Sequence, residues 1–360
     1  MSLSPERWRA IVHGTARDPA AFVWRRLLWA GRLPYALGVW WRNRGFDRGH
    51  DVHRVPVPVI SVGNLTVGGT GKTPCVEYIA RLLRQDDRRV AILSRGYGSD
   101  GGRNDEAMVL EENLPDVPHL QGADRVELAR TAIEELDCEI LVLDDGFQHR
   151  RLARDLDIIL IDVTDPWAGG YLLPRGGLRE PRKNLRRAGM VVLTRCDATL
   201  PGVADSVAAD VRRIATDMPI ARTIHAALEL LGGQGSERVA ALRGRPVGAF
   251  CGLGNPEAFR QTLTTLGADV HAFRTFADHH AYSRADVEDL GRSAAELPAD
   301  AWVITTQKDW VKLRLTELAG HPIWALRVGL QFVEGQELFD NAIRGVAAAQ
   351  RQEGSWNHST

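Results

Sequence analysis

Short apolar runs alternate along the chain with segments whose apolar residues recur at helical spacing. The run PVPVISVGNLTV predicts a buried β-strand. After a short Gly-rich stretch, the segment PCVEYIARLLRQ places Val76, Ile79 and Leu83 on one side of a helix. This succession of strand, turn and helix is the first unit of a pattern that is typical of parallel sheets.

The same alternation continues through the middle of the chain. Further strands are predicted by RRVAILSRGYG, EILVLDDG, DIILIDV and GMVVLTR, and a helix by VELARTAIEEL. Strands that alternate with helices pack as a mainly parallel sheet with helices on both faces. The sequence therefore predicts an α/β fold.

The hydrophobic pattern weakens between residues 202 and 240 and then resumes. RPVGAFCGLGNPEAFRQTLTTLG begins a new strand, turn and helix, which predicts a second, smaller C-terminal α/β lobe. The expected organisation is an N-terminal amphipathic helical segment over residues 1–50, a core lobe over 51–235, the smaller lobe over 236–350 and a disordered tail over 351–360.

The composition is that of a globular protein, with 44% hydrophobic residues, 25% charged residues and a net charge of −1. A length of 360 residues is enough for two domains of ordinary size. Nothing in the overall charge indicates a nucleic-acid partner, so none is expected. The cysteines are far apart and form no C-x-x-C pair, which argues against a disulfide framework or a zinc site.

The N-terminal segment is rich in tryptophan and arginine. Five of the ten tryptophans lie in the first 41 residues, and residues 1–60 contain ten arginines against four acidic residues. The longest uncharged run of FVWRRLLWAGRLPYALGVWW is nine residues, which is too short to span a bilayer. Apolar bulk with Trp and Arg is typical of a helix in the headgroup layer of a membrane. The periodicity also fits a helix packed on the protein's own core, so both interpretations stay open.

The stretch TVGGTGKT lies between a predicted strand and a predicted helix, the context that a phosphate-binding loop requires. Its G-G-x-G-K-T core is intact, although threonine stands where the usual pattern G-x-x-x-x-G-K-[ST] begins with glycine. Backbone N–H groups of such a turn cradle phosphate oxygens, and the following helix adds its positive end. The residues expected to bind the nucleotide are Thr66, Val67, Gly68, Gly69, Thr70, Gly71, Lys72 and Thr73.

The residues around this loop also indicate a bound metal ion. Lys72 would neutralise the outer phosphates of a nucleoside triphosphate, and the hydroxyl of Thr73 would be a ligand of Mg²⁺. Asp144 and Asp145 end the apolar strand ILVLDDG, where a P-loop protein places its acidic metal ligands. The sequence therefore predicts a P-loop NTPase-like fold that binds a nucleoside triphosphate and magnesium.

A second strand end bears on the identity of the nucleotide base. VVLTRCD is similar to the [NT]-K-x-D motif with which GTPases bind guanine, but Arg195 stands where lysine is expected. Asp197 is then either a guanine ligand or the N-cap of a helix. We interpret Asp197 as a helix cap.

Six motifs, in order along the chain, resemble the tetraacyldisaccharide 4′-kinases of lipid A biosynthesis. They are VGNLTVGGTGKTP, LSRGYG, DDGFQHRRLARD, LLPRGGLREP, TFADHHAY and VITTQKDWVKL. The resemblance spans most of the chain and includes the threonine at position 66. It implies a large P-loop α/β lobe, a smaller C-terminal α/β lobe and an ATP-dependent kinase. The acceptor would be the 4′-hydroxyl of a tetraacylated glucosamine disaccharide 1-phosphate, and the product would be lipid IVA, on the route to lipopolysaccharide.

The resemblance also implies a location. Members of this family act at the cytoplasmic face of the bacterial inner membrane, which favours the interpretation of the N-terminal helix as an interfacial, monotopic or peripheral segment. The expected partners are therefore the lipid substrate and the inner-membrane surface, and the expected cofactors are ATP and Mg²⁺.

Catalytic residues are carried over from the family motif by motif. The family is thought to use an Asp–His pair to take the proton of the acceptor hydroxyl. His279 matches the histidine of this pair in F-A-D-H-H, where Asp278 or His280 is either its partner or uninvolved. The family's G-D-E-P is replaced by N-D-E-A at a shortened spacing, which makes Asp105 the candidate base and Asp100 the alternative. The expected catalytic residues are Asp105, His279 and Lys72.

Other family positions imply contacts with the metal and the substrate. Glu180, in L-R-E-P, resembles a further acidic residue at the metal, so the expected metal ligands are Thr73, Asp144, Asp145 and Glu180. Family positions near the sugar and phosphate groups of the lipid are matched by Arg95, Arg125, Gln148, His149 and Arg179. Arginine suits a phosphate because its planar fork can donate to two oxygens at once.

Three other functions fit parts of the sequence. A P-loop GTPase switch or metallochaperone would explain the G-G-x-G-K-T loop and TRCD, and it would prefer guanine. A ligase similar to dethiobiotin synthetase would use a small soluble substrate, which leaves the Trp- and Arg-rich N-terminus unexplained. A non-catalytic, membrane-peripheral ATP-binding protein would tolerate the substitution Asp105→Ala.

Overall fold

The computed structural model describes residues 5–96, 105–233, 235–278 and 280–349. The chain divides into two compact units. Unit 1 comprises Met1–Arg95, Asp116–Ile224 and Leu330–Thr360, and unit 2 comprises Gly96–Pro115 and His225–Gly329. The lobes expected from the sequence were continuous segments, whereas each unit in the structure combines separate segments. The expected tail over 351–360 lies outside the described residues.

Helices and strands alternate through the described residues. The α-helices are α1 Pro5–Val12, α2 Pro19–Asp47, α3 Lys72–Gln85, α4 Asp105–Asn113, α5 Arg125–Glu134, α6 Val203–Ile214, α7 Pro256–Thr265, α8 Arg284–Ala294, α9 Gln307–Leu313 and α10 Gln336–Ala348. The β-strands are β1 Val59–Asn64, β2 Val90–Ser94, β3 His119–Gln121, β4 Ile140–Asp144, β5 Leu156–Asp162, β6 Met190–Thr194, β7 Ile220–Gly232, β8 Gly235–Arg238, β9 Pro246–Cys251, β10 Asp269–Thr275, β11 Trp302–Thr306, β12 Glu317–Leu318 and β13 His321–Glu334. Short 3₁₀ helices lie at Ala168–Gly170, Arg182–Arg187 and Val239–Leu242.

Unit 1 contains a parallel sheet with the strand order β7–β6–β5–β1–β4–β2–β3. The central strand β1 is buried along its whole length, and the Cα of Val62 is paired with that of Asp144 on β4. Because the carboxyl ends of β1 and β4 meet at one edge, the loop after β1 lies beside the aspartates that end β4. The parallel α/β class predicted from the sequence is confirmed.

Helix α3 covers this sheet with the apolar face that its spacing predicted. Val76, Ile79 and Leu83 are all fully buried, and the helix packs against β1, β2 and β4. The turn after β4 comes unusually close to β1, since a Cβ on Gly63 would lie only 2.6 Å from the Cβ of Phe147. Phe147 is fully buried, so this approach requires a residue without a side chain at position 63.

Unit 2 contains its own parallel strands in the order β10–β9–β11–β13, and β12 is antiparallel to β13. Helix α4 belongs to this unit because it packs against α9. The amide of Gln307 donates to Asn113 over 2.7 Å, and Arg314 pairs with Glu112 over 2.7 Å. These contacts join residues 105–113 to a segment about 200 positions later, which sequence order does not reveal.

Helix α2 exposes much of its apolar surface. It begins after Asp18, whose side chain accepts a hydrogen bond from the backbone N–H of Ala21 over 3.0 Å. Its large apolar side chains that are exposed are Phe22, Val23, Leu27, Trp29, Leu33, Leu37, Trp40 and Trp41. Among the described residues, no helix has both the length and the hydropathy needed to cross a membrane.

Candidate active site

The loop between β1 and α3 has the backbone geometry of an anion site. Gly71 is the N-cap of α3 with φ 87° and ψ 26°, a left-handed conformation that glycine adopts without strain. It contributes no side-chain cap to the first turn of the helix. The N–H groups at this helix end are therefore suited to phosphate oxygens, which the positive end of the helix also attracts.

The loop is held by backbone hydrogen bonds to residues 177–179. The N–H of Val67 donates to the carbonyl of Gly177 over 2.8 Å, and that of Arg179 donates to the carbonyl of Leu65 over 2.7 Å. Between them Thr66 and Leu178 form an antiparallel bridge. A β-branched residue suits an extended, paired backbone, which gives a physical reason for threonine where the usual motif has glycine.

Two cations converge on Asp145 beside this loop. The ammonium of Lys72 lies 3.6 Å from the carboxylate, and one guanidinium nitrogen of Arg179 donates to both of its oxygens over 3.0 and 2.7 Å. Burial opposes the ionisation of Asp145, but Lys72 and Arg179 outweigh it and hold the pKa of this carboxyl below its ordinary value. The carboxylate therefore stays ionised and balances the positive charge of Lys72 and Arg179.

Asp144 and Thr73 supply further oxygen atoms at the same edge of the sheet. Both side chains are buried, Asp144 at the end of β4 and Thr73 in the first turn of α3. Carboxylate and hydroxyl oxygens are the donors that Mg²⁺ prefers. The chemistry of Thr73, Asp144 and Asp145 thus fits the metal that the sequence predicted.

Glu180 has a different environment from the one expected. It is completely buried, and its carboxylate receives Arg42 over 3.2 Å, Asn43 over 3.1 Å, Asn184 over 2.6 Å and Arg187 over 2.9 Å. In the part of the chain that the structure describes, no group of three or more His, Cys, Asp or Glu side chains is arranged to hold a metal ion. The structure therefore does not place Glu180 with the two aspartates; four donors tie it to helix α2 and the 180s segment instead.

Gln148 and His149, both expected near the substrate, follow the aspartate pair. Gln148 donates to the backbone carbonyl of Asn64 over 2.9 Å and accepts from Arg179 over 3.2 Å, so it fixes the end of β1. His149 lies among arginines. Burial and the guanidinium groups of Arg125, Arg154 and Arg151 lower the pKa of His149 to about 4. The imidazole is therefore neutral at neutral pH.

The other two arginines expected at the substrate lie at strand and helix ends of unit 1. Arg125 is buried as the first residue of α5, and Arg95 is exposed directly after β2. The structure thus brings Arg125 and His149 together, and places Gln148 and Arg179 beside the phosphate loop.

The candidate base lies in unit 2. Asp105 is the first residue of α4, and its carboxylate lies 3.1 Å from the ammonium of Lys312. Asp100 and His279 lie outside the described residues. Sequence reasoning did not single out Lys312, and the only signal for it was the second lysine of QKDWVKL, one helical turn after Lys308.

The expectation for Asp197 was wrong. Helix α6 begins at Val203, and its N-cap is Gly202, which supplies no side-chain hydrogen bond. Asp197 is exposed in the turn before it. Arg195, the lysine replacement in the motif, forms an ion pair with Asp162 at the end of β5.

Comparisons with known proteins cover nearly the whole chain. A family model described as LpxK, tetraacyldisaccharide-1-P 4′-kinase, matches residues 24–347. The tetraacyldisaccharide 4′-kinase of Anaeromyxobacter dehalogenans (strain 2CP-C) is 42% identical over 332 residues, which cover 86% of this chain and 87% of the relative. That of Syntrophus aciditrophicus (strain SB) is 38% identical over 357 residues, covering 92% and 94%. The crystal structure of the "apo" form of LpxK from Aquifex aeolicus in complex with ATP superposes with a TM-score of 0.69 at 32% identity, covering 89% of this chain and 99% of that one.

Proposed function

Because this chain belongs to the tetraacyldisaccharide 4′-kinase family, we propose that it transfers the γ-phosphoryl group of ATP to the 4′-hydroxyl of a tetraacylated glucosamine disaccharide 1-phosphate. The product is lipid IVA, an intermediate of lipid A. The observation that carries this proposal is the phosphate loop between β1 and α3, with Lys72 and Asp145 facing each other beside it.

Binding of the triphosphate is the task of the loop. The backbone N–H groups around Gly71 donate to phosphate oxygens, and Lys72 exchanges its 3.6 Å contact with Asp145 for the more highly charged phosphate oxygens. Arg179 keeps Asp145 oriented during this exchange, since it donates to both carboxylate oxygens. Positioning and charge neutralisation are the main sources of catalysis in phosphoryl transfer.

Thr73, Asp144 and Asp145 are the residues that would hold Mg²⁺. Their hard oxygen donors fit the ion, and both aspartates end the strand that neighbours β1. When bound, the ion neutralises charge on the phosphate oxygens. Glu180 is not included, because its carboxylate already has four donors.

The acceptor hydroxyl must lose a proton as its oxygen attacks the γ-phosphorus. Asp105 accepts that proton, assisted by His279, while the bond from the γ-phosphorus to the bridging oxygen breaks and ADP leaves. Arg95, Arg125, Gln148 and His149 bind the sugar and phosphate groups of the acceptor. As a neutral imidazole, His149 serves as a hydrogen-bonding partner and not as a cation.

The lipid acceptor lies in a membrane, and α2 is the segment suited to meet it. Its exposed apolar residues include Leu37 and Trp41, and Arg32 and Arg44 lie over the rings of Trp29 and Trp40. Apolar bulk, tryptophan and arginine together match the headgroup layer of an anionic bilayer. The protein would thus be a peripheral or monotopic protein of the cytoplasmic face of the inner membrane.

The function is tested with γ-labelled ATP, Mg²⁺ and anionic phospholipid vesicles that carry the disaccharide lipid. The expected result is label in the lipid, at the 4′ position. Label in inorganic phosphate alone, with GTP preferred over ATP, would support the switch; label in a small soluble product would support the ligase.

The same vesicles test the membrane surface. The double variant Leu37→Glu and Trp41→Glu is expected to stay in the supernatant after sedimentation and to lose about tenfold activity on vesicles, but to retain activity on detergent-solubilised lipid. The control is Leu200→Glu, since Leu200 is an equally exposed apolar residue outside α2. Equal vesicle binding by all three proteins would refute the docking role of α2.

A further inference from the structure

Lys312 lies at the junction of three separate parts of unit 2. It is in the last turn of α9, and its ammonium contacts Asp105 on α4 over 3.1 Å. The same ammonium donates to the backbone carbonyl of His280 over 3.0 Å and lies 3.5 Å from Asp309, one turn back on its own helix. One cation therefore links the candidate base, the segment next to His279 and a fixed acid.

Asp309 is a rigid reference point for this cation. It is completely buried, and one carboxylate oxygen receives the backbone N–H of Gly252 over 3.0 Å and the hydroxyl of Thr306 over 2.6 Å. Tyr282 faces the same carboxylate: burial, and then Asp309, raise the pKa of its hydroxyl. Strands β9 and β11 thus fix Asp309, and Asp309 fixes Lys312.

The segment around His280 is held independently on its other side. The ring of His280 stacks on Phe276 with 4.9 Å between centroids, and its Nε2 lies 3.1 Å from the carboxylate of Asp286. Asp286 closes the capping box of α8 with Ser283. The carbonyl that Lys312 binds is therefore well placed, and the contact orients Lys312 as much as the loop.

We propose that Lys312 is a positioning residue for the phosphoryl transfer, which orients the carboxylate of Asp105 relative to the backbone of His280 and to Asp309. The inference rests on the proposed role of Asp105 as the base. Lys312 acts by holding Asp105 on α4 to the reference point at Asp309. A displacement of about 1 Å in a catalytic group can lower the rate by about a hundredfold.

A neighbouring ion pair provides a matched control. Lys308 lies one turn earlier on α9 and contacts Glu106, the residue after Asp105, over 3.0 Å. The two lysines join the same two helices, but the Lys308 pair is about one-third exposed (35% and 31%), whereas Lys312 and Asp105 are each 15% exposed. A general loss of the contact between α4 and α9 would affect both variants, and only a role through Asp105 would single out Lys312.

The experiment compares Lys312→Met with Lys308→Met in the lipid kinase assay. For Lys312→Met we expect kcat to fall about tenfold to a hundredfold, with KM for ATP and for the lipid unchanged within about twofold. Lys308→Met should retain kcat within about twofold. Where Lys312→Met does not fold, as judged by its thermal unfolding, Lys312→Gln replaces it, because it keeps a hydrogen-bond donor.

A double-mutant cycle with Asp105→Asn completes the test. If Lys312 acts through Asp105, Lys312→Met should lower kcat by less than about threefold in the Asp105→Asn background. Equal kcat for Lys312→Met and Lys308→Met, or full additivity with Asp105→Asn, would overturn the inference while the proposed base stands. Full activity of Asp105→Asn itself would overturn the proposed base, and the role of Lys312 with it.

Discussion

The molecule contains two lysine–aspartate pairs with different environments, Lys72 with Asp145 and Lys312 with Asp105. The comparison shows how the same two types of side chain can have different roles. Lys72 is the first residue of α3, where the helix already carries partial positive charge. Lys312 lies in the last turn of α9, where a cation is favoured. The first pair is 3.6 Å apart and the second 3.1 Å.

The partners differ as much as the helix ends. The carboxylate that faces Lys72 also accepts two hydrogen bonds from Arg179, at shorter distances than the contact with Lys72. Lys312 contacts two carboxylates and a carbonyl within 3.5 Å. A cation at a helix N-terminus that shares one carboxylate with an arginine is suited to receive an anionic ligand, whereas a cation with three acceptors is suited to hold the protein's own groups in place.

The largest expected effect comes from removing the first cation. Lys72→Met should lower kcat about a thousandfold or more, because the charge on the transferred phosphoryl group loses its neutralising partner. The free energy of unfolding without nucleotide should change by less than about 1 kcal/mol. A kinase assay measures kcat, and chemical denaturation of the same preparation measures the free energy of unfolding. Retention of more than one-tenth of the activity would remove the distinction between the two lysines.

The next largest effect should be a loss of stability when Asp309, the buried acid beside Lys312, is replaced. Asp309→Asn should lower the free energy of unfolding by about 2–4 kcal/mol, since it removes the negative charge that pairs with the ammonium of Lys312 and weakens the hydrogen bonds from Gly252 and Thr306. The matched control Asp145→Asn, beside the phosphate loop, should cost less than about 1 kcal/mol because that carboxylate is partly exposed. Denaturant titrations measure both, and similar losses would contradict the contrast.

The smallest expected effect is a change in how the free energy of unfolding depends on pH, caused by His149. The pKa of His149 is about 4 in the folded protein and 6.5 in the unfolded chain. Between these pH values the unfolded chain therefore binds a proton that the folded chain does not. The free energy of unfolding therefore decreases as the pH falls from 6.5 towards 4. His149→Gln should remove up to about 2 kcal/mol of that loss.

The measurement is the free energy of unfolding at pH 7 and at pH 4.5 for three proteins. The wild type and the control His50→Gln, which alters an exposed histidine, should show the same decline, and His149→Gln a smaller one. A parallel decline in all three would show that burial and the neighbouring arginines do not lower the pKa of His149.

The loop between β1 and α3 and the aspartates beside it could be located from sequence because their positions depend on local order. A strand, a Gly-rich turn and a helix N-terminus are consecutive, and Asp144 and Asp145 end a strand whose neighbour is set by parallel pairing. Even the threonine at position 66 was expected from the family motif. What the sequence did not give was the reason for it, which is the pairing with Leu178.

The other candidate residues depend on contacts between distant segments, and for them prediction from sequence was weaker. Glu180 was assigned to the metal from its L-R-E-P motif, and no local pattern reveals that Asn43, 137 positions earlier, donates to it. Asp105 could be named from its motif, but its partner Lys312 is 207 positions away. Asp197 was misassigned because the N-cap of α6 is a glycine, Gly202, which has no side chain to indicate a cap.

The bridge between Thr66 and Leu178 makes two linear motifs into one structural element. TVGGTGKT and LPRGGLREP are separated by about a hundred residues in the sequence, yet they share a two-stranded backbone pairing at the entrance to the nucleotide loop. Substitutions in the second motif that move the backbone of Gly177 should therefore change the affinity for ATP. Variant effects in this family are best interpreted for the two motifs jointly.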